Sequence, residues 1–389
     1  MTSDFKREFY LKQHSHLLHF QFQQAGACLR ATELKPKLDR FLIEHHFKND
    51  KSRYEKLLIG YIESKKKEDE EDDNQKKALN YKVSIQSSNS LNSYEYKGMG
   101  GNSARTGILY AKTKISVFSY EKELLVAIEK WMEPFLALHN FGFRQSKGFG
   151  CFTLLNQPTQ ESFEEFLHIR FPYFWRYQLR PGLGKKDAYT FIQEEYIKLK
   201  RMNVRHKRKK PKIFEYMMGQ NPPITWEKAR IKGALKKDHP KIFEHLLREY
   251  RPDNNLERSE PAKEEAKFQY IRALLGLAEH NEYRMDGSGG LNKIQIKIDD
   301  KAGKIKRFQS PLQFKLFQNF IYILPHPIPS EMFDRKFKFI LKGVYNPATN
   351  ERETDLFDLS TPSADEFSME AFLDYALNEP DWKREPSNE

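Results

Sequence analysis

Cysteine is nearly absent: the 389 residues hold two, Cys28 and Cys151. That excludes a disulfide-stapled scaffold and a cysteine-rich zinc site, and it fits a reducing cytoplasm. Long apolar runs are missing as well. No stretch approaches the roughly 18 residues of a membrane span, and Met1-Thr2-Ser3-Asp4-Phe5-Lys6 lacks the apolar segment of a secretory leader. The expectation is a cytoplasmic protein with no membrane contact. Apolar residues are scarce at 39% and charged ones plentiful at 31%. Aromatics, which a disordered chain lacks, still make up 14%, so the chain folds. Its length is that of two or three domains. Lys and Arg total 66 against 54 Asp and Glu, a formal charge of +12. Such a balance favours a polyanionic partner, nucleic acid first of all.

Periodicity organises the first 157 residues. His16 to Gln23 partly alternates and predicts a strand, broken by Gly26. Leu34, Leu38, Phe41 and Leu42 then share one helical face, with Thr32 as N-cap and Pro36 in the first turn. The block Lys65 to Lys77 holds no apolar residue, and reads as a solvated insertion. Ser87 to Arg105 reads as a polar loop. Thr113 to Phe118 predicts a strand, Glu123 to Leu138 an amphipathic helix containing Pro134, and Cys151 to Leu155 another strand. With one more strand between Tyr81 and Tyr110, the order suits a βαββαβ, ferredoxin-like (RRM-like) unit. The fold class is α+β. The expected division is a first domain over 1–157, with an insertion at about 63–106, and a second α+β region over 158–350, of ferredoxin-like or divergent fold. The second region carries a basic helical insertion at about 185–290. An acidic tail over 351–389 follows, with one apolar helix, Phe367 to Leu377, able to dock on the body or on a partner.

Within that second region, Ile213 to Leu247 and Ala262 to Leu277 predict helices. Ile294 to Ile298 and Lys304 to Phe308 flank Asp299-Asp300-Lys301-Ala302-Gly303 as a hairpin. Phe320 to Leu324 and Phe337 to Leu341 predict strands.

The segment Gly142-Phe143-Arg144-Gln145-Ser146-Lys147-Gly148-Phe149-Gly150 carries the most chemistry. Glycines let backbone approach a phosphate, and amides in such a turn can form an anion-binding nest. Arg144 and Lys147 add positive charge, and Phe143 and Phe149 can pack beneath the loop or stack on a base. An ordinary helix-to-strand turn, with Gly142 as a helix cap, is the bland alternative. No Gly-Lys-Ser/Thr follows, so this is no Walker A loop.

This segment resembles the glycine-rich loop of the RAMP superfamily, the RNA-binding subunits of CRISPR effector complexes. That loop follows the second helix of a ferredoxin-like domain, with a Gly-x-Arg-x-Ser-x-Gly-x-Gly pattern that Gly142, Arg144, Ser146, Gly148 and Gly150 match. Leu29-Arg30-Ala31-Thr32-Glu33-Leu34-Lys35 is similar to the family's opening of the first helix, without the usual Pro-Gly-Ser start. Arg307-Phe308-Gln309-Ser310-Pro311-Leu312 resembles an Arg-x-x-Ser-Pro-Leu turn of some members. The resemblance covers about 14–155 and, loosely, 290–325; the stretch 160–290 matches nothing in it. It implies guide-RNA binding within a multisubunit complex, most plausibly of type III. Arg30, Lys35 and Lys37 would extend the loop's surface.

Two other chemistries are weighed. His14, His16 and His19 could supply a general base for metal-independent ribonuclease action on guide RNA, as RAMP processing enzymes use an early histidine. On a strand, however, His16 and His19 point to opposite faces. His-x-His could be a metal pair, but no third ligand stands out, so no metal and no cofactor are called for. The family's target-cutting subunits carry an Asp after the first strand, and Gln24 to Leu29 contains none; Asp39 lies inside the helix and is expected to pair with Lys35 or its neighbours. Finally Lys200, Arg201, Arg205, Lys207, Arg208, Lys209, Lys210 and Lys212 would supply salt-dependent attraction to phosphates. The sequence therefore leads to a non-catalytic RNA-binding subunit, with the histidine endoribonuclease as the alternative.

Overall fold

Alternation of charge and apolar bulk makes the first strand. In Lys6–Gln13 (β1) the side chains of Phe9, Leu11 and Gln13 turn inward, while Lys6, Glu8, Tyr10 and Lys12 face solvent. The computed structural model describes residues 4–18, 28–61, 78–96, 105–182, 184–200, 210–246, 266–285, 293–346 and 351–386. After β1 come α1 (Ala31–Phe41), a π-helical turn Leu42–His46, α2 (Lys51–Tyr54), β2 (Lys82–Tyr96), β3 (Arg105–Phe118), α3 (Lys122–Leu138) and β4 (Phe152–Leu154). Then follow α4 (Gln160–His168), β5 (Tyr173–Gln178), α5 (Lys185–Lys200), α6 (Lys212–Met218), β6 (Ile224–Trp226), α7 (Glu227–Asp238) and α8 (Pro240–His245). The remainder is β7 (Lys267–Gln269), β8 (His280–Arg284), β9 (Lys293–Asp300), β10 (Leu312–Phe317), β11 (Phe320–Pro325), β12 (Lys336–Asn346), β13 (Glu351–Ser360), α9 (Met369–Ala376) and β14 (Trp382–Pro386). The class is α+β.

The chain divides into two compact units. The first holds 1–189, 313–324 and 385–389; the second holds 190–312 and 325–384. In the first unit one sheet has the order β2-β3-β1-β4, with β1 antiparallel to both neighbours. Its inner face, including Phe9, Leu11, Ile115 and Val117, packs with Leu34, Leu38 and Phe41 of α1 and with Leu124, Ile128 and Phe135 of α3. Burying such side chains contributes about 1.5–3 kcal/mol each. Residues 313–324 return to this unit, and β11 pairs with β5.

Several expectations change here. The first strand is Lys6–Gln13, not His16 to Gln23: residues 14–18 form a buried loop, and 19–23 lie outside the described residues. Strict alternation, with Lys6, Glu8, Tyr10 and Lys12 outward, made the better strand. The cap of α1 is Arg30, without a side-chain bond, so Pro36 sits inside the helix. Ser87 to Tyr96 is not loop but part of β2, paired with β3 from Lys82↔Phe118 to Tyr96↔Arg105. Its serines and asparagines hid it, because no apolar alternation marks this half of the strand. The remainder of that expected loop, 97–104, and all of Lys65 to Lys77 lie outside the described residues.

In the second unit a sheet runs β13-β12-β9-β8. The expected hairpin between Ile294 and Phe308 does not form. β9 pairs with β8 and β12 instead, because Asp300 accepts from the amides of Lys304 and Ile305, both at 2.8 Å, and pairs with Arg335, turning the chain out of the sheet. The predicted helix over Ile213 to Leu247 is broken into α6, β6, α7 and α8, and the described part of Ala262 to Leu277 is β7 and a 3-10 turn over Ile271–Leu275. The acidic segment after Glu351 begins as β13, paired to β12. Phe367 to Leu377 docks on its own unit: Phe372 is buried, and its ring lies 5.7 Å from Tyr216 of α6.

Candidate nucleic-acid interface

The glycine-rich loop sits between α3 and β4, and its shape follows from where glycine is required. At Gly142 φ is +78°, and a Cβ there would lie 2.4 Å from the Leu18 carbonyl oxygen. At Gly150 φ is +69°, and a Cβ would lie 1.9 Å from the Phe141 oxygen. No other residue fits either place. Helix α3 ends at Leu138 with His139 already extended, so Gly142 is not its cap. Arg144 itself adopts the left-handed conformation, φ +58°, which costs a side-chain-bearing residue energy and is held by its surroundings.

Those surroundings are a polar frame. The Gly142 amide donates to Glu33 Oε1 and Oε2 at 2.8 and 3.0 Å, and Gln145 Nε2 donates to Glu33 Oε1 at 2.9 Å. Lys37 Nζ donates to Glu33 Oε1, the Asn140 carbonyl and Gln145 Oε1, all within 3.0 Å. Three donors meet three acceptors there, and burial lowers the Lys37 pKa despite the carboxylate. Asn140 Nδ2 ties the Gln145 carbonyl (2.7 Å) to that of Phe314 (2.9 Å), and Phe314 donates its amide to Ser146 at 3.2 Å. Beneath lies Lys315, 1% exposed, donating to the carbonyls of Leu136 and His139 and to Asn140 Oδ1 at 2.9–3.0 Å. It satisfies the carbonyl end of α3, and burial brings its pKa down to about 8.

The other side of the loop is aromatic. Phe149 is buried and stacks on Tyr189 at 4.4 Å, with Tyr94 of β2 5.1 Å from Tyr189. Phe143 is half-buried, 5.4 Å from the Arg144 guanidinium. Lys147 lies over Phe314 at 5.9 Å, and Gly148 is buried.

The structure therefore gathers Lys37 with residues 142–150. Lys35 points elsewhere, to Asp39 at 2.8 Å and the Leu79 carbonyl at 2.9 Å, over the Tyr81 ring. Arg30 caps the start of α1, half-buried. In the second unit Lys200 donates to the carbonyls of Leu275 and Gly276, Lys210 lies over Phe214, and Lys212 pairs with Glu215. Arg201, Arg205, Lys207, Arg208 and Lys209 lie outside the described residues, as does His19. His14 and His16 are 5% and 4% exposed. His14 Nε2 meets Thr153 Oγ1 at 2.9 Å, and burial pulls its pKa down to about 3. His16 is held between Tyr189 Oη (2.9 Å from Nδ1) and Asn92 Oδ1 (2.5 Å from Nε2), and burial lowers its pKa too. Among the described residues no group of three or more His, Cys, Asp or Glu could hold a metal ion, and no helix is long and apolar enough to cross a membrane.

Sequence reasoning missed Glu33, Asn140 and Lys315. A signal existed for the last: Lys315 interrupts the inward apolar run of β10, where a lysine must have buried acceptors.

Two family models match, the Cmr1 N-terminal domain over residues 4–220 and the Cmr1 C-terminal domain over 208–389. No curated protein matches the chain. Among solved structures, Cmr1 from Pyrococcus furiosus in its apo form aligns over 98% of each chain at 9% identity, with a TM-score of 0.39. A chain of the Type III-B Cmr-beta complex bound to cognate target RNA aligns at 13% identity and a TM-score of 0.27. That alignment covers 39% of this chain and 58% of the other. The two family models together span nearly every residue, including the loop that resembles the RAMP superfamily's: the chain belongs to the Cmr1 family.

Proposed function

We propose that this protein is a non-catalytic RNA-binding subunit of a type III CRISPR ribonucleoprotein, holding guide-RNA phosphates on its glycine-rich loop. The observation that carries this reading is the loop's frame. Glu33, Lys37, Asn140 and Phe314 fix residues 142–150 from below and behind. A rigid loop bearing Arg144 and Lys147 loses little entropy on binding a phosphate strand. Family membership supports a place beside other effector subunits, and the charge of +12 supports a polyanionic partner. The β-α-β-β-α-β order with sheet order β2-β3-β1-β4 supports a ferredoxin-like first domain. Lys200 and the neighbouring basic segment add non-specific attraction.

The burial of His14 and His16 supports the non-catalytic half of the reading. A general base must reach a 2′-hydroxyl, and both imidazoles are enclosed and hydrogen-bonded within the protein.

Photo-crosslinking of the full chain to thiouridine-substituted guide RNA tests the proposal. Adducts within 142–150 are expected; adducts found only elsewhere would contradict it. Incubation with repeat RNA in EDTA tests the second half. Intact RNA is expected, whereas a 2′,3′-cyclic phosphate product lost on His14→Ala/His16→Ala substitution would establish the endoribonuclease.

A further inference from the structure

The outer face of the first unit's sheet is open and one-sided in charge. On β1 it presents Lys6, Glu8, Tyr10 and Lys12, all exposed. The register sets Tyr10 opposite Lys114 of β3, and Lys114 opposite Gln86 of β2. Lys112 follows on the same face, opposite Ser88, and Lys82 lies at the far end, opposite Phe118. The balance is five lysines against one glutamate. Glu8 pairs with Lys6 at 2.6 Å and approaches Lys114 at 3.4 Å. Lys12, Lys82 and Lys112 form no ion pair among the described residues.

At the centre stands an exposed aromatic ring, Tyr10, whose hydroxyl donates to Glu8 Oε2 at 3.4 Å. Tyr10 is 52% exposed. Leu155, equally exposed, donates its amide to the Tyr10 carbonyl at 2.7 Å and so flanks it on the side away from Lys114. The neighbours on β2 and β3, Ser84, Gln86 and Ser116, are short or polar. Among the described residues, no other aromatic ring stacks on Tyr10.

The second unit supplies the contrast. Its sheet also exposes lysines, but each meets a carboxylate: Lys338 with Asp355 at 2.7 Å, Lys342 with Glu353 at 3.2 Å, Lys297 with Asp299 at 2.6 Å and Lys293 with Glu282 at 2.8 Å. That face is self-neutralised. The first unit's face is not, although the same fold could have placed acids there.

We infer that the open β2-β3-β1-β4 face is a second RNA-binding surface, taking single-stranded RNA with a base stacked on Tyr10 and phosphates on Lys12 and Lys112. Unneutralised lysines match a polyanion, and a lone exposed ring among short polar neighbours suits an unpaired base, which a duplex would not offer. A protein partner would find no contiguous apolar area around Tyr10 and Leu155 to bury. The inference rests on the reading of the chain as an RNA binder, but not on the glycine-rich loop.

Fluorescence anisotropy with a labelled oligouridylate, titrated with the full chain over a range of salt, tests it. Lys12→Gln/Lys112→Gln is expected to make the slope of log K against log salt shallower by roughly 1.4, since each cation on a single strand contributes about 0.7. Tyr10→Ala should weaken binding about tenfold, and Tyr10→Phe should restore it. Lys338→Gln/Lys342→Gln should change nothing. Tyr10, Lys12 and Lys112 are exposed and Lys338 and Lys342 half-buried, and unchanged thermal melts would confirm folding. If wild type binds and both Tyr10→Ala and Lys12→Gln/Lys112→Gln bind identically to it, the sheet inference fails alone. If wild type binds no RNA, the functional reading fails and takes the inference with it.

Discussion

The carboxylate of Glu33, in the first turn of α1, receives the amide of Gly142 at 2.8 and 3.0 Å across 109 residues of sequence. An anion from the protein's own helix thus occupies the first amide of the glycine-rich loop. The loop is shaped from within, and its first amide already has a carboxylate acceptor. Glu33 is a positioning residue. Glu33→Ala leaves the Gly142 amide, Gln145 and Lys37 without their shared acceptor, and should cost about 2 kcal/mol in urea unfolding. Glu33→Gln, which keeps one acceptor oxygen, should cost less.

Gly150→Ala should be far worse than an average glycine substitution. The new methyl would overlap the Phe141 carbonyl, so backbone must move, at roughly 3 kcal/mol or more. Gly182→Ala is the comparison: φ is +86° but nothing lies within 4 Å, so strain of about 1–2 kcal/mol remains. Thermal melts of both variants check the difference.

Acid should weaken the protein through its buried imidazoles. His14, with a folded pKa of about 3, stays neutral long after an unfolded histidine has taken up its proton near 6.5. The unfolded state therefore binds more protons between those values, and stability falls as pH drops through that window. Burial lowers His16 and, more strongly, His139 in the same direction. Each contributes up to about 1.4 kcal/mol per pH unit. His14→Gln should flatten the urea midpoint against pH between 6.5 and 4.

Lys315 should be intolerant of neutral replacement. Lys315→Met keeps much of the volume but strips the donor from Leu136, His139 and Asn140, costing about 2–4 kcal/mol. The sign with pH is opposite to that of ordinary lysines. The folded pKa of about 8 lies below the unfolded value, so stability from this residue rises as pH goes from 8 towards 10.5. Urea unfolding of wild type and variant at pH 8 and 10 reads both.

How far the sequence discloses the site follows from what each residue contacts. Gly142, Gly148 and Gly150 were legible because backbone shape demands glycine at fixed spacing, and Arg144 because of its charge within that pattern. α1 and α3 were legible because their apolar faces repeat at helical period. Glu33 was not, since its role depends on a loop more than a hundred residues away, and locally it is one more surface acid beside Lys37. Only the Ser87 to Tyr96 half of β2 escaped, because its serines and asparagines show no apolar alternation, and the false hairpin after Ile298 arose because Asp300 takes turn amides and Arg335 instead of letting the chain double back. The Lys35–Asp39 pair follows from their i,i+4 spacing, but that Lys35 also lies over the Tyr81 ring and donates to the Leu79 carbonyl, away from the loop, depends on contacts some forty residues off that local spacing does not reveal.

The central claim is that cations on the framed loop hold an RNA strand. Its most direct test is the dissociation constant of the full chain for guide RNA, wild type against Arg144→Glu/Lys147→Glu, at one salt concentration. A loss of about a hundredfold is predicted, from two phosphate contacts turned repulsive. Equal affinities, with the variant still folded, would contradict the account.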